Sequence, residues 1–161
     1  MKYSRLTKEQ FDSLSNEFSI FLASNAIDSK QWNKIKSSSI ERADHILDIF
    51  SDLVWKNILH KVKFIENISS NHLFLFKCNK NSIDSIIIKS NDSSINLNSS
   101  DAQIWLLNNL QANNISVLRS TKNFKTKRND EIYSLISRGS IISEGQLFIM
   151  YDERLLKSSE K

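Results

Sequence analysis

Apolar residues recur at three- and four-residue steps through the first third of the chain. Phe11, Leu14, Phe18, Phe21 and Leu22 fall on one helical face, and Glu9, Asp12, Asn16 and Glu17 on the wet one. Thr7 and Gln10 have the spacing of a capping box, in which each side chain satisfies a free backbone donor near the other, so a helix is predicted over residues 7–24. Asp28 and Gln31 repeat that spacing ahead of Trp32 and Ile35 and predict a short second helix. Ser38 with Glu41 opens a third. Its stripe of Ile40, Ala43, Ile46, Leu47, Phe50, Leu53, Val54 and Ile58 winds for about five turns at 3.6 residues per turn.

After Lys61 the apolar period shortens to two. Runs at 62–68, 72–78, 83–89 and 94–97, separated by Ser, Asn and Asp, predict four strands in a meander. Leu73-Phe74-Leu75-Phe76 is apolar on both alternating faces, as in a central strand covered on both sides. Ser100 with Gln103 starts a helix whose Ile104, Trp105, Leu106, Leu107 and Leu110 cover most of its circumference and predict close burial. A fifth strand at 115–119 follows, and a strand-helix-strand crossover would make it parallel to its neighbour. Residues 130–138 predict a helix ended by Gly139. Ser143 and Gln146 cap a last helix carrying Leu147, Phe148, Tyr151 and Leu155, ahead of a frayed tail at 157–161. The expectation is a single α+β domain over residues 1–161. N-terminal helices pack on a mainly antiparallel sheet of about five strands, with one helical crossover and a C-terminal helical hairpin.

Composition narrows the chemistry. With 161 residues, 40% hydrophobic and 25% charged, the chain suits one core that buries roughly 70% of its unfolded surface. No apolar run approaches the ~18 residues that span a bilayer, and the first eight residues lack the apolar centre of a signal peptide, so a cytoplasmic location is expected. Cys78 is the only cysteine, which excludes an intramolecular disulfide, a cysteine zinc site and a Cys-x-x-Cys redox pair. Gly139 and Gly145 are the only glycines, too few for the phosphate-binding or dinucleotide signatures, and no cofactor is expected.

The net charge of +4 implies a polyanion partner only if the positive charge is concentrated. It is concentrated at Arg119, Lys122, Lys125, Lys127 and Arg128, with no acidic residue among them and Phe124 in the middle. Such a loop could bind RNA or single-stranded nucleic acid, its cations facing phosphates and its aromatic stacking on a base. The plainer reading is a solvated, lysine-rich connection with Phe124 tucked into the core. Sequence-specific DNA reading is disfavoured, because the last helix carries Glu144, Asp152 and Glu153 and only Arg154 as a base before the tail.

Two constellations could carry catalytic or metal chemistry. A turn at Ser69-Ser70 would bring Cys78 opposite about Val62, near His60, whereas His72 lies about 20 Å along the same strand. A lone cysteine at a strand end more commonly acts as a small buried hydrophobe. Glu41, Asp44, His45, Asp48 and Asp52 resemble half of a metal site, but they fall opposite the apolar stripe and lack matching ligands, so a plain solvated face is expected and no metal. Trp32, Trp55 and Trp105 suit core positions. With no catalytic motif, the expected function is non-enzymatic binding of another protein through a helical face or an exposed sheet edge. Nucleic-acid binding through 119–128 is the second class, and an unrecognised enzyme the third.

Two stretches resemble a known family: Lys2-Tyr3-Ser4-Arg5-Leu6-Thr7-Lys8-Glu9-Gln10-Phe11, leading to Glu17-Phe18 and Phe21-Leu22-Ala23, and Leu47-Asp48-Ile49-Phe50-Ser51-Asp52-Leu53-Val54-Trp55. They are similar to an uncharacterised family of small proteins from Bacteroidota, a domain of unknown function. The likeness extends through His72-Leu73-Phe74-Leu75-Phe76 and from Gly139 to Phe148. It implies a bacterial cytoplasmic protein and carries over no catalytic residue.

Overall fold

Both N-terminal capping boxes form, at Thr7 with Gln10 and at Asp28 with Gln31. The computed structural model describes residues 1–159 and divides into two compact units, Met1–His60 and Lys61–Lys161. The first is built from α1 (Lys8–Ser13), α2 (Ser15–Ser24), α3 (Ser29–Ser38) and all but the last residue of α4 (Ile40–Lys61). The single helix expected over 7–24 is broken at Leu14, which closes α1 and opens α2 with no side-chain cap. No glycine or proline marks that break in the sequence. The apolar face survives it. Phe11, Phe18 and Phe21 meet Phe50 of α4 with ring centroids 5.8, 5.0 and 5.3 Å away, and Trp32 stands edge-on to Phe18 at 5.3 Å.

The acidic face of α4 is not merely solvated. Asp52 accepts the backbone N–H groups of Lys2 and Tyr3 at 2.7 and 2.8 Å, and Arg5 donates to Asp48 at 2.6 Å and Asp44 at 3.0 Å. Trp55 Nε1 donates to the Ser4 carbonyl, and the Ser51 hydroxyl accepts the Leu6 N–H. Carboxylates one helical turn apart therefore strap the leading segment along α4, where Tyr3 and Leu6 are buried. The α4 stripe is narrower than its pattern, with Ala43 and Phe50 buried but Ile40, Leu53 and Ile58 exposed.

The second unit holds, in chain order, β1 (Phe64–Ile68), β2 (His72–Cys78), β3 (Ser82–Ser90), α5 (Ser100–Asn108), β4 (Ile115–Asn123), α6 (Arg128–Ser137), β5 (Ile141–Ser143) and α7 (Gln146–Ser159). Among the described residues the sheet has five strands in the order β4-β3-β2-β1-β5, and every pair is antiparallel. The α+β class stands. The expected parallel strand does not: the Asn91 N–H bonds the Asn114 carbonyl, so the chain re-enters the sheet beside the point where it left, and β4 must run antiparallel to β3. Residues 94–97 form no strand. Asp92 accepts from the N–H and hydroxyl of Ser94 and turns the chain, leaving Leu97 fully buried in the core.

β2 is central, as its double apolar alternation predicted. Leu73 and Leu75 join Ile86, Ile88, Leu97, Leu106, Leu110, Phe148 and Tyr151 in the main core, which α5 and α7 cover. On α5 only one side is buried; Ile104 and Trp105 stay exposed, so the expected all-round burial does not hold. The two C-terminal helices form with β5 between them, pairing with β1. Gly139 ends the α6 turn at φ +94°, and Gly145 sits at φ +81° where an added Cβ would land in the Phe64 ring. α7 runs through Ser159, so the tail expected at 157–161 is helical there; its last two residues lie outside the described residues. Among the described residues no helix is long and apolar enough to cross a membrane.

Candidate functional site

The basic segment is not one loop. Arg119 and Lys122 stand on β4, Lys125 on the turn after it, Lys127 at the N-cap of α6, and Arg128 on the first residue of α6. Their environments differ. Arg119 Nε donates to Asp152 on α7 at 2.7 Å, which holds the guanidinium pKa above its ordinary value. Arg128 is half-buried and donates to the carbonyls of Asn79 at 2.8 Å, Cys78 at 3.2 Å and Val62. It ties the start of α6 to the β2–β3 turn and to the chain entering β1. Phe124 is half-buried, its N–H bonded to the Asn81 carbonyl.

Lys122 and Lys125 do converge, and Arg138 from the end of α6 joins them. The three line a cavity of about 250 Å³ between α6 and the sheet face formed by Phe76, Ile83 and Ser85. The register explains the placement: Phe76 lies opposite Ser85, and Ile83 opposite Lys122, so all four point to the same side. Glu131 also lines the cavity, with Oε1 accepting the Thr126 N–H at 2.7 Å.

The outer edge of β4 is a second feature. The Asn91 N–H to Asn114 carbonyl bond and the Phe124 N–H to Asn81 carbonyl bond bracket the β3–β4 ladder. By the alternation of an antiparallel pair, Ser116, Leu118, Ser120 and Lys122 turn their backbone groups toward β3, while Val117, Arg119 and Thr121 turn theirs outward. On the side facing α7, Ile115, Val117 and Arg119 border a groove of about 430 Å³ whose opposite wall includes Leu110 and Leu155.

The remaining candidates resolve differently. Burial pushes the Cys78 thiol up to about 11 against the opposing pull of the Arg128 charge, the reverse of what a nucleophile needs. His72 stacks on Phe74 at 4.2 Å and its ring nitrogens meet Ser69 Oγ and Asn67 Oδ1, fastening the β1–β2 hairpin. In the N-terminal unit an open groove of about 750 Å³ runs over Phe11, Phe18, Leu22, Ile27 and Trp32.

A family model described as a family of unknown function, DUF6495, matches residues 1–155. The chain belongs to this family. No curated protein and no solved structure matches it. In this DUF6495 protein, sequence reasoning missed Ser85 and Arg138 as cavity residues. One signal was present: in Ile83-Asp84-Ser85-Ile86-Ile87-Ile88 a serine takes a position whose same-face neighbours, Ile83 and Ile87, are both apolar. Arg138 gave no such signal.

Proposed function

We propose that this DUF6495 protein is a non-enzymatic, cytoplasmic binding domain that takes an extended segment of another protein as a sixth strand along β4. The observation that carries this reading is the open edge of β4. It is nine residues long and sends the backbone groups of Val117, Arg119 and Thr121 away from the sheet. An added strand would gain main-chain hydrogen bonds there, and its alternate side chains would drop into the groove beside Ile115 and Val117. Arg119, whose charge would otherwise guard the edge, is already paired with Asp152. A single buried thiol suits a reducing compartment.

The test is affinity purification of the tagged protein from its native cytoplasm, with and without nuclease, using Thr121→Pro and Thr121→Val side by side. Proline removes an outward N–H that an edge strand can spare in the free protein. Valine removes only the hydroxyl that donates to Asp84. Capture that survives nuclease, is lost in Thr121→Pro and is kept in Thr121→Val supports edge docking; equal capture by both variants contradicts it. A second reading is RNA binding. It is favoured by Lys122, Lys125 and Lys127, which are exposed and form no ion pair among the described residues. That reading requires nuclease-sensitive capture and an affinity that falls steeply with salt.

A further inference from the structure

We propose that the cavity between α6 and the sheet binds a small organic phosphate monoester whose carbon body carries a hydroxyl, a site independent of strand docking on β4. Ser85 carries the inference. It is 2% exposed, and its hydroxyl is a buried side-chain oxygen with no hydrogen-bond partner among the described residues. A buried hydroxyl without a partner is costly, and native folds keep few of them unless something else completes the bond. This one lines a cavity.

The walls define what completes it. Ser85 sits on the inner strand β3 and marks the deep end, with Phe76, Ile83 and Leu135 supplying apolar surface. Exposed Lys122, Lys125 and Arg138 mark the mouth, and none of them forms an ion pair among the described residues. Glu131, the acid on the wall, is turned to the Thr126 backbone and hydroxyl. Three cations around one opening suit a dianion, and the apolar floor suits a compact carbon body attached to it, whose far end must carry a hydroxyl to pair with Ser85. At about 250 Å³ the space falls below the roughly 300–1,000 Å³ of pockets that hold drug-sized molecules, so the ligand is small. Two lysines and one arginine make charge, rather than a bidentate fork, the main source of recognition.

4-(Hydroxymethyl)phenyl phosphate, inorganic phosphate and benzyl alcohol serve as probes in titration calorimetry on the full chain. 4-(Hydroxymethyl)phenyl phosphate is expected to bind saturably and about tenfold more tightly than either fragment probe, since it alone reaches the cations with its phosphate and Ser85 with its hydroxyl. Lys122→Gln/Lys125→Gln should weaken it about tenfold or more, and Ser85→Ala about fivefold, the loss of one hydrogen bond. Unliganded Ser85→Ala should melt no lower than the parent, because the hydroxyl has no internal bond to lose. No saturable binding up to about 10 mM overturns the proposal, as does affinity unchanged in both variants. So does an unliganded Ser85→Ala that melts several degrees lower, which would mean the hydroxyl is already satisfied inside the fold.

Discussion

Replacing Arg128 with alanine should cost stability, and the structure sets the size of the loss. The guanidinium donates to three carbonyls, those of Asn79, Cys78 and Val62, and so joins α6 to the β2–β3 turn and to the chain entering β1. Hydrogen bonds to a charged group contribute about 1.5–3 kcal/mol each, but Arg128 is only half-buried and water can replace part of what is lost. The expected loss is therefore about 2–4 kcal/mol in total, with Arg128→Lys recovering only part because one ammonium cannot match the planar fork. Urea unfolding followed by circular dichroism measures it. With a slope of about 2 kcal/mol/M the midpoint should fall by roughly 1–2 M. Lys122→Ala and Lys125→Ala, both exposed, should stay within about 0.5 kcal/mol of the parent. An Arg128→Ala midpoint equal to theirs would refute the assignment of Arg128 to the fold and return it to the set of surface cations.

Gly145→Ala should destabilise by about 2–5 kcal/mol, from left-handed backbone strain at φ +81° together with displacement of the Phe64 ring from Phe148; thermal unfolding checks it. Cys78 should resist thiol reagents at pH 8 in the native protein and react at the rate of opening. Its pKa is raised from 9.0 to about 11, so its contribution to stability is complete below pH 9.0 and is lost as pH rises through 11, with buried Tyr151 acting in the same direction; unfolding measured between those pH values should show the decline. At the acid end, the hydrogen bond from Arg5 lowers the Asp48 pKa, and at Asp84 burial is outweighed by hydrogen bonds from Asn79 and Thr121. Both contributions are present above the ordinary aspartate value of 3.8 and vanish as pH falls through the lowered one, so Arg5→Gln should flatten the acid limb of the stability curve.

Local signals were legible where a side chain acts on its own neighbourhood. The capping boxes at Thr7 and Asp28, the Gly139 terminus and the double-sided strand at Leu73 all form, because each is decided within a turn or two of chain. What escaped was set by contacts distant in sequence. The acids of α4 read as solvated until residues 2–5, some 40 to 50 positions away, lie across them. The orientation of β4 is set by where the chain re-enters the sheet, with Asn114 beside Asn91 at the end of a long ladder to β3, which leaves no periodic trace. The basic segment read as one feature because charge was counted along the chain, whereas partners sort it: Asp152 takes Arg119, three carbonyls take Arg128, and Lys122 and Lys125 turn to a cavity completed by Arg138.

The open edge of β4 is tested most directly by residue-resolved amide exchange, measured on the isolated protein and on the complex purified with its native partner. The Val117, Arg119 and Thr121 amides should exchange quickly in the isolated protein and slow markedly in the complex, while Leu118 and Ser120 stay protected in both. Outward amides already protected in the isolated protein, or unchanged in the complex, would contradict docking on this strand.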